Sequence, residues 1–145
     1  MGAARRCHAV GVAALLAVVI LAFPMVCYLL APPTFLLVGL EVPEVSQLLR
    51  GIIRGYFLAI AIAGTVAMAL LAAAGRPLFA VGAIAIAASA IAVRRWLLQR
   101  VDAQLQARDA GVATAVRRLR VLHVQSMLAN AVQLAIVLAS VPLIV

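Results

Sequence analysis

Four polar side chains recur along the last apolar stretch of the sequence: His123, Ser126, Asn130 and Gln133. At about 100° per residue, their spacing of three, four and three residues places all four on one face of an α-helix. Lipid offers no hydrogen-bond partner to an imidazole, a hydroxyl or an amide. We therefore expect this polar face to point into a helix bundle, where it bonds to neighbouring helices or lines a small cavity.

His123 is the only candidate in this set for a metal or haem ligand, because a histidine inside an apolar segment can bind iron or copper axially. Its face carries no carboxylate or thiol, and the other histidine of the chain, His8, lies near the start beside Cys7. Two interpretations of the polar face stay open: hydrogen bonds that hold helices together, or a functional site.

No pair of residues suited to general acid and base catalysis is visible, and we assign no catalytic residue. The acidic residues are few, and Asp102 and Asp109 lie seven positions apart among arginines. Ion pairs are the expected role of such carboxylates. The sequence therefore favours a protein that is not an enzyme.

The composition indicates an integral membrane protein. The 145 residues are 68% hydrophobic and 11% charged, whereas soluble domains are about 45–50% apolar and about 25% charged. All twelve basic residues are arginine and the net charge is +8. Because the arginines flank apolar runs, the expected partner is a bilayer with anionic headgroups and not a nucleic acid. The residues expected at the headgroup interface are Arg94, Arg95, Trp96, Arg117, Arg118 and Arg120.

Four apolar stretches approach or exceed the roughly 20 helical residues that cross a hydrocarbon layer about 30 Å thick. The predicted spans cover residues 9–31, 55–75, 77–96 and 121–145 of a single membrane domain, residues 1–145, with a polar, arginine-rich segment at 94–120. The opening stretch resembles a signal peptide, but no small-x-small cleavage site follows at the usual distance, so we expect it to be retained. The predicted fold is an all-α, four-helix membrane bundle.

The segments between the spans also carry helical signals. Gly75 and Pro77 predict a tight hairpin around Arg76. Apolar periodicity after Pro43 predicts an amphipathic lead-in helix that lies along the interface or continues into the second span. A similar pattern at Leu97, Leu98, Val101 and Leu105 predicts a helical extension after the third span, with Gly111 as its stop. Small residues every fourth position predict close helix packing at Ala59, Ala63, Ala67, Ala83 and Ala87.

Two stretches carry a family resemblance. The first is "ARDAGVATAVRRLRVLHVQSMLAN", with its His-x-x-Ser-x-x-x-Asn element at His123, Ser126 and Asn130; the second is "APPTF" followed by "RGIIRGYF". These resemble the domain-of-unknown-function family 4149, relatives of the eukaryotic transmembrane protein 205 family. Val124 stands where that family would have glycine. The resemblance implies a four-span membrane protein without an established biochemical activity.

Two functions follow as hypotheses. The first is a non-enzymatic membrane bundle, without a cofactor, that acts in small-molecule handling, in envelope stress or as a subunit of a larger complex. The second is a membrane redox protein that binds haem or copper through His123, suggested by a more distant likeness to four-helix membrane proteins with intramembrane histidines. For either, the expected location is a bacterial inner membrane, and a bundle this small could dimerise to enclose a path.

Overall fold

The computed structural model describes residues 2–30 and 42–144, with side chains at 10–30, 42 and 44–143. These residues form four α-helices: α1 (Gly2–Leu30), α2 (Pro43–Ala73), α3 (Pro77–Asp109) and α4 (Ala115–Ile144). Each helix is long and apolar enough to cross a membrane. The predicted all-α, four-helix fold is confirmed, while the predicted span ends at residues 31 and 145 lie outside the described residues.

The helices form an antiparallel ring in which α1 packs on α2, α2 on α3, α3 on α4 and α4 on α1. Arg76, in the turn between α2 and α3, donates from Nη1 to the carbonyl of Leu143 at 3.4 Å, so this turn lies beside the end of α4. Large apolar side chains such as Phe23, Leu128 and Ile136 are exposed on the outside of the ring. Such an outer surface suits a bundle whose solvent is lipid.

The lead-in and the extension are parts of the two central helices. α2 runs without a break from Pro43 into the second span, and α3 continues beyond the third span to Asp109. Arg50 of α2 binds Asp102 of α3 through two hydrogen bonds, of which Nη2 to Oδ2 is 3.1 Å. Arg108 also donates to the hydroxyl of Ser46. These polar contacts hold the extension against the lead-in helix.

Two glycines end helices as the sequence predicts. Gly75 has φ +70° and Gly111 has φ +80°, a left-handed conformation that costs glycine little because it has no Cβ. In the first turn Gly75 N donates to Ala72 O at 3.0 Å and Arg76 N to Leu71 O at 2.9 Å. This pair of bonds is a Schellman cap, and the same pattern at Gly111 ends α3.

The contact between α2 and α3 is the most extensive in the bundle, because small residues let the two backbones approach. A Cβ added at Gly64 would lie 2.9 Å from both the Ala83 carbonyl oxygen and the Ala87 Cβ. Ala63 and Ala67 are buried on the same helix, but Ala59 is exposed. The small-residue seam therefore includes Gly64, which the four-residue alanine spacing did not indicate, and excludes Ala59.

Candidate functional site

Three of the four predicted polar residues on α4 are buried in the bundle. His123, Ser126 and Asn130 are 0–1% exposed, and Gln133, one turn further along, is half-buried. A helix that turns about 100° per residue carries these positions along the side that faces the other helices. Their burial is what the spacing predicts, and their partners show which helices they join.

Ser126 links α4 to α1. Its Oγ donates to the carbonyl of His123 in the preceding turn at 2.7 Å. A hydroxyl carries one proton, so the hydroxyl of Tyr28, 2.8 Å from Ser126 Oγ, is the donor in the second bond. Tyr28 itself is buried. This chain of hydrogen bonds therefore satisfies two buried hydroxyls and joins two helices.

Asn130 links α4 to two helices at once. Its Nδ2 donates to the carbonyl of Met25 on α1 at 2.9 Å, and its Oδ1 accepts a hydrogen bond from the hydroxyl of Tyr56 on α2. The rings of Tyr56 and Tyr28 stack, with centroids 3.8 Å apart and planes 16° apart. The stacked pair thus presents both hydroxyls to α4. We call this set Tyr28, Tyr56, Ser126 and Asn130 the polar clamp.

The polar spacing along α4 does not indicate the two tyrosines. Each lies near the end of an apolar run, where tyrosine is commonly explained by the membrane interface. A usable signal was present, however: in an antiparallel bundle, the end of α1 and the start of the second span lie at the same depth as the start of α4. Buried tyrosine hydroxyls need partners, and the amide and hydroxyl of α4 are available at that depth.

Gln133 contacts a different neighbour. Its Nε2 donates to Ser89 Oγ of α3 at 3.1 Å, and Ser89 in turn donates to the carbonyl of Ile86 at 2.8 Å. The polar face predicted as one continuous feature therefore divides. Its central residues join α4 to α1 and α2, and its last residue joins α4 to α3.

His123 is not part of a multi-residue metal site among the described residues. Among the described residues, no group of three histidine, cysteine, aspartate or glutamate side chains could hold a metal ion. His8 precedes Tyr28 by twenty positions on α1, which at about 1.5 Å per residue separates it from the polar clamp by about 30 Å. A second histidine ligand from α1 is thus too far away, and the predicted ligand role of His123 gains no support.

A groove lies between α3 and α4. It consists of two adjoining cavities of about 790 Å³ and 500 Å³. The larger lies toward the turn between these helices, and the smaller continues toward the polar clamp. Gln125 lines both, so the two cavities adjoin along the same pair of helices. The smaller cavity is lined by Ala92, Val93, Trp96, Leu97, Gln125, Ser126 and Ala129.

The residues expected at the headgroup interface fall into three groups with respect to this groove. Arg117 and Arg118 line its larger cavity, and Trp96 lines the smaller one. Arg95 and Arg120 are exposed and line neither cavity. Arg94 is half-buried and donates from Nε to the carbonyl of Arg54 on α2 at 3.4 Å.

A third cavity, of about 210 Å³, lies among all four helices toward the opposite end of the bundle. Leu21, Leu71, Phe79 and Val137 contribute to its almost entirely apolar wall. An apolar cavity of this kind has few groups that could orient a polar ligand or a water molecule. The groove between α3 and α4 combines polar and apolar walls and is the stronger candidate for a binding site.

No protein-family model, curated protein or solved structure matches this chain.

Proposed function

We propose that this chain is a non-enzymatic integral membrane bundle that handles a small amphiphilic molecule in the groove between α3 and α4. The observation that carries the proposal is the groove itself, which begins among arginines and glutamines and continues between apolar side chains of the same two helices. Its two cavities fall in the range of about 300–1,000 Å³ that small-molecule sites occupy.

The polar clamp has a different role in this proposal. The amide of Asn130 and the hydroxyls of Ser126 and Tyr56 bond to neighbouring helices, so these groups serve to hold α4 against α1 and α2. Ser126 nevertheless lines the inner end of the groove. The clamp thus fixes one wall of the groove while α3, which contacts α4 much less than it contacts α2, forms the other.

The proposal is compatible with the resemblance to the four-span family described above, since two members of its most specific sequence element, Ser126 and Asn130, belong to the clamp. We extend it to a bacterial inner membrane as the location, on the ground that four apolar helices flanked by arginines suit a multi-pass membrane protein. The roles in envelope stress or in a larger complex draw on no further feature of the described residues.

Filling the groove tests the proposal. Ala129 lines the smaller cavity from α4 and Ala92 lines it from α3, so Ala129→Trp and Ala92→Trp should each block it. Ala139 is exposed on α4 away from all three cavities, and Ala139→Trp is the matched control. The measurement is native mass spectrometry of protein purified from membranes in a mild detergent.

We expect the wild type and the control to retain a bound small molecule that both groove variants lose, while the helical circular dichroism of all four proteins stays the same. A wild type that carries nothing, or groove variants that retain the same molecule, would overturn the proposal. The same samples provide an absorption spectrum and a metal analysis. A Soret band or stoichiometric copper or iron would favour the redox hypothesis instead.

A further inference from the structure

The larger cavity of the groove is basic. Three arginines line it, Arg100 from α3 and Arg117 and Arg118 from α4, together with the side chains of Gln99, Gln104, Thr114 and Gln125. Guanidinium groups, amides and hydroxyls are all hydrogen-bond donors, and an arginine fork matches the oxygens of a phosphate. This set of side chains therefore favours an anion with several acceptor oxygens.

The charges of these arginines are not neutralised by carboxylates of the described residues. Asp102 pairs with Arg50, and Asp109 pairs with Arg108. Arg100 instead lies over an aromatic ring, with its guanidinium carbon 4.4 Å from the centroid of Trp96. A cation–π contact orients a guanidinium but leaves its positive charge in place. The cavity thus holds three charges that an anionic ligand could balance.

The position of the cavity identifies the source of the anion. Arg100 follows Trp96 by one helical turn, about 6 Å along α3, and tryptophan favours the interface between headgroups and hydrocarbon. The apolar cavity beside Trp96 continues the groove toward the hydrocarbon side. We propose that the basic cavity binds the phosphate of an anionic lipid, with an acyl chain along the apolar cavity. This inference rests on the proposed function and names its ligand class.

The test compares two pairs of arginines that carry the same charge. All four side chains are exposed, but only Arg117 and Arg118 line the cavity. Arg95 and Arg120 line neither part of the groove. Purified Arg117→Gln/Arg118→Gln and Arg95→Gln/Arg120→Gln variants are titrated with fluorescent phosphatidylglycerol in detergent micelles, with phosphatidylcholine and glycerol phosphate as further probes. Melting temperatures are measured in parallel, and no guanidinium group of either pair forms a hydrogen bond to a described residue.

We expect substitution of the cavity pair to weaken phosphatidylglycerol binding at least about tenfold, since each lost charge-assisted hydrogen bond contributes that much. Substitution of the pair outside the cavity should change the binding less than about threefold. Phosphatidylcholine and glycerol phosphate should bind at least about tenfold more weakly than phosphatidylglycerol. Equal losses for the two pairs would mean general charge attraction and would overturn the inference, as would equally tight binding of glycerol phosphate.

The two proposals can fail separately. If Ala129→Trp displaces a bound molecule but the arginine pair changes nothing, the groove binds a different ligand class, and only the inference about phosphate is wrong. If the groove variants and the cavity pair both leave lipid binding unchanged, both proposals are wrong.

Discussion

Replacement of Asn130 by leucine should destabilise the bundle by about 1–3 kcal/mol, the cost of leaving a buried polar group without its partner. Leucine has the same branched shape as asparagine but bulkier methyl ends, and both hydrogen bonds of the amide disappear. The hydroxyl of Tyr56, a residue only 8% exposed, loses its acceptor, and the carbonyl of Met25 loses a donor from α4. Interhelical hydrogen bonds in membrane proteins contribute about 0.6 kcal/mol each on average, so the stranded hydroxyl accounts for the upper part of the range.

A double-mutant cycle separates the direct bond from other effects of the substitution. Tyr56→Phe removes the donor alone. Asn130→Leu/Tyr56→Phe removes both donor and acceptor, so neither of these two groups is left buried without its partner. We therefore expect the double variant to be less destabilised than the sum of the single variants, by about 0.6–1.7 kcal/mol. Ser140→Ala is the control, because the Ser140 hydroxyl donates only to its own helix, to the Val137 carbonyl.

The assay is unfolding of the purified protein in mixed micelles with increasing dodecyl sulfate, followed by far-ultraviolet circular dichroism. If the losses of unfolding free energy in the two single variants add up to the loss in the double variant, the direct bond between Asn130 and Tyr56 is refuted. An Asn130→Leu protein that is as stable as the wild type but has lost its bound molecule would instead show that the polar face is a functional site, and the clamp interpretation would be wrong.

Two further predictions concern packing and orientation. Gly64→Ala should lower the melting temperature, because the new Cβ meets the Ala83 carbonyl and the Ala87 Cβ at 2.9 Å and overpacking costs about 1–3 kcal/mol. Gly82→Ala, where a Cβ meets nothing within 4 Å, should instead raise the melting temperature, because alanine stabilises a helix by up to about 1 kcal/mol relative to glycine. An unchanged melting temperature for Gly64→Ala would contradict the close contact of α2 and α3. For orientation, nine arginines lie at the end that holds the lead-in and the 94–120 segment and three lie at the other end, so the positive-inside rule places both termini outside the cytoplasm. A carboxy-terminal reporter that is active only in the cytoplasm should be silent there, and a reporter fused in the turn at Gly111 should be active; the opposite pattern would reverse the orientation.

Much of the architecture follows from local patterns in the sequence. Hydropathy and length predict four membrane helices, because each must satisfy its backbone internally over about 20 residues. Gly75 and Gly111 predict helix ends, since only a few residues near each glycine determine the capping hydrogen bonds. The helical extension after the third span is likewise a local property, visible in apolar residues that recur at helical spacing up to Leu105.

Local patterns also indicated which residues of α4 are polar and share a face, but they did not identify the partners. The spacing of Ser126, Asn130 and Gln133 predicts that they are buried, whereas only the antiparallel arrangement brings Tyr28 and Tyr56 to the same depth. The same holds for Gln133, which contacts Ser89 and not the clamp. A partner that is 44 to 98 positions away along the chain leaves no periodic signal in a single sequence.

The close contact at Gly64 and the groove between α3 and α4 depend still more on tertiary structure. Alanine spacing predicted a small-residue seam, but the rotation of α2 against α3 decides that Gly64 meets Ala83 and that Ala59 faces outward. Likewise, Arg117, Arg118 and Arg120 form one cluster in the sequence. Only the packing of α4 beside α3 makes Arg117 and Arg118 line a cavity and leaves Arg120 outside it. Composition and periodicity thus determine what each helix is, and the relative rotation and separation of the helices determine which of its residues can form a site.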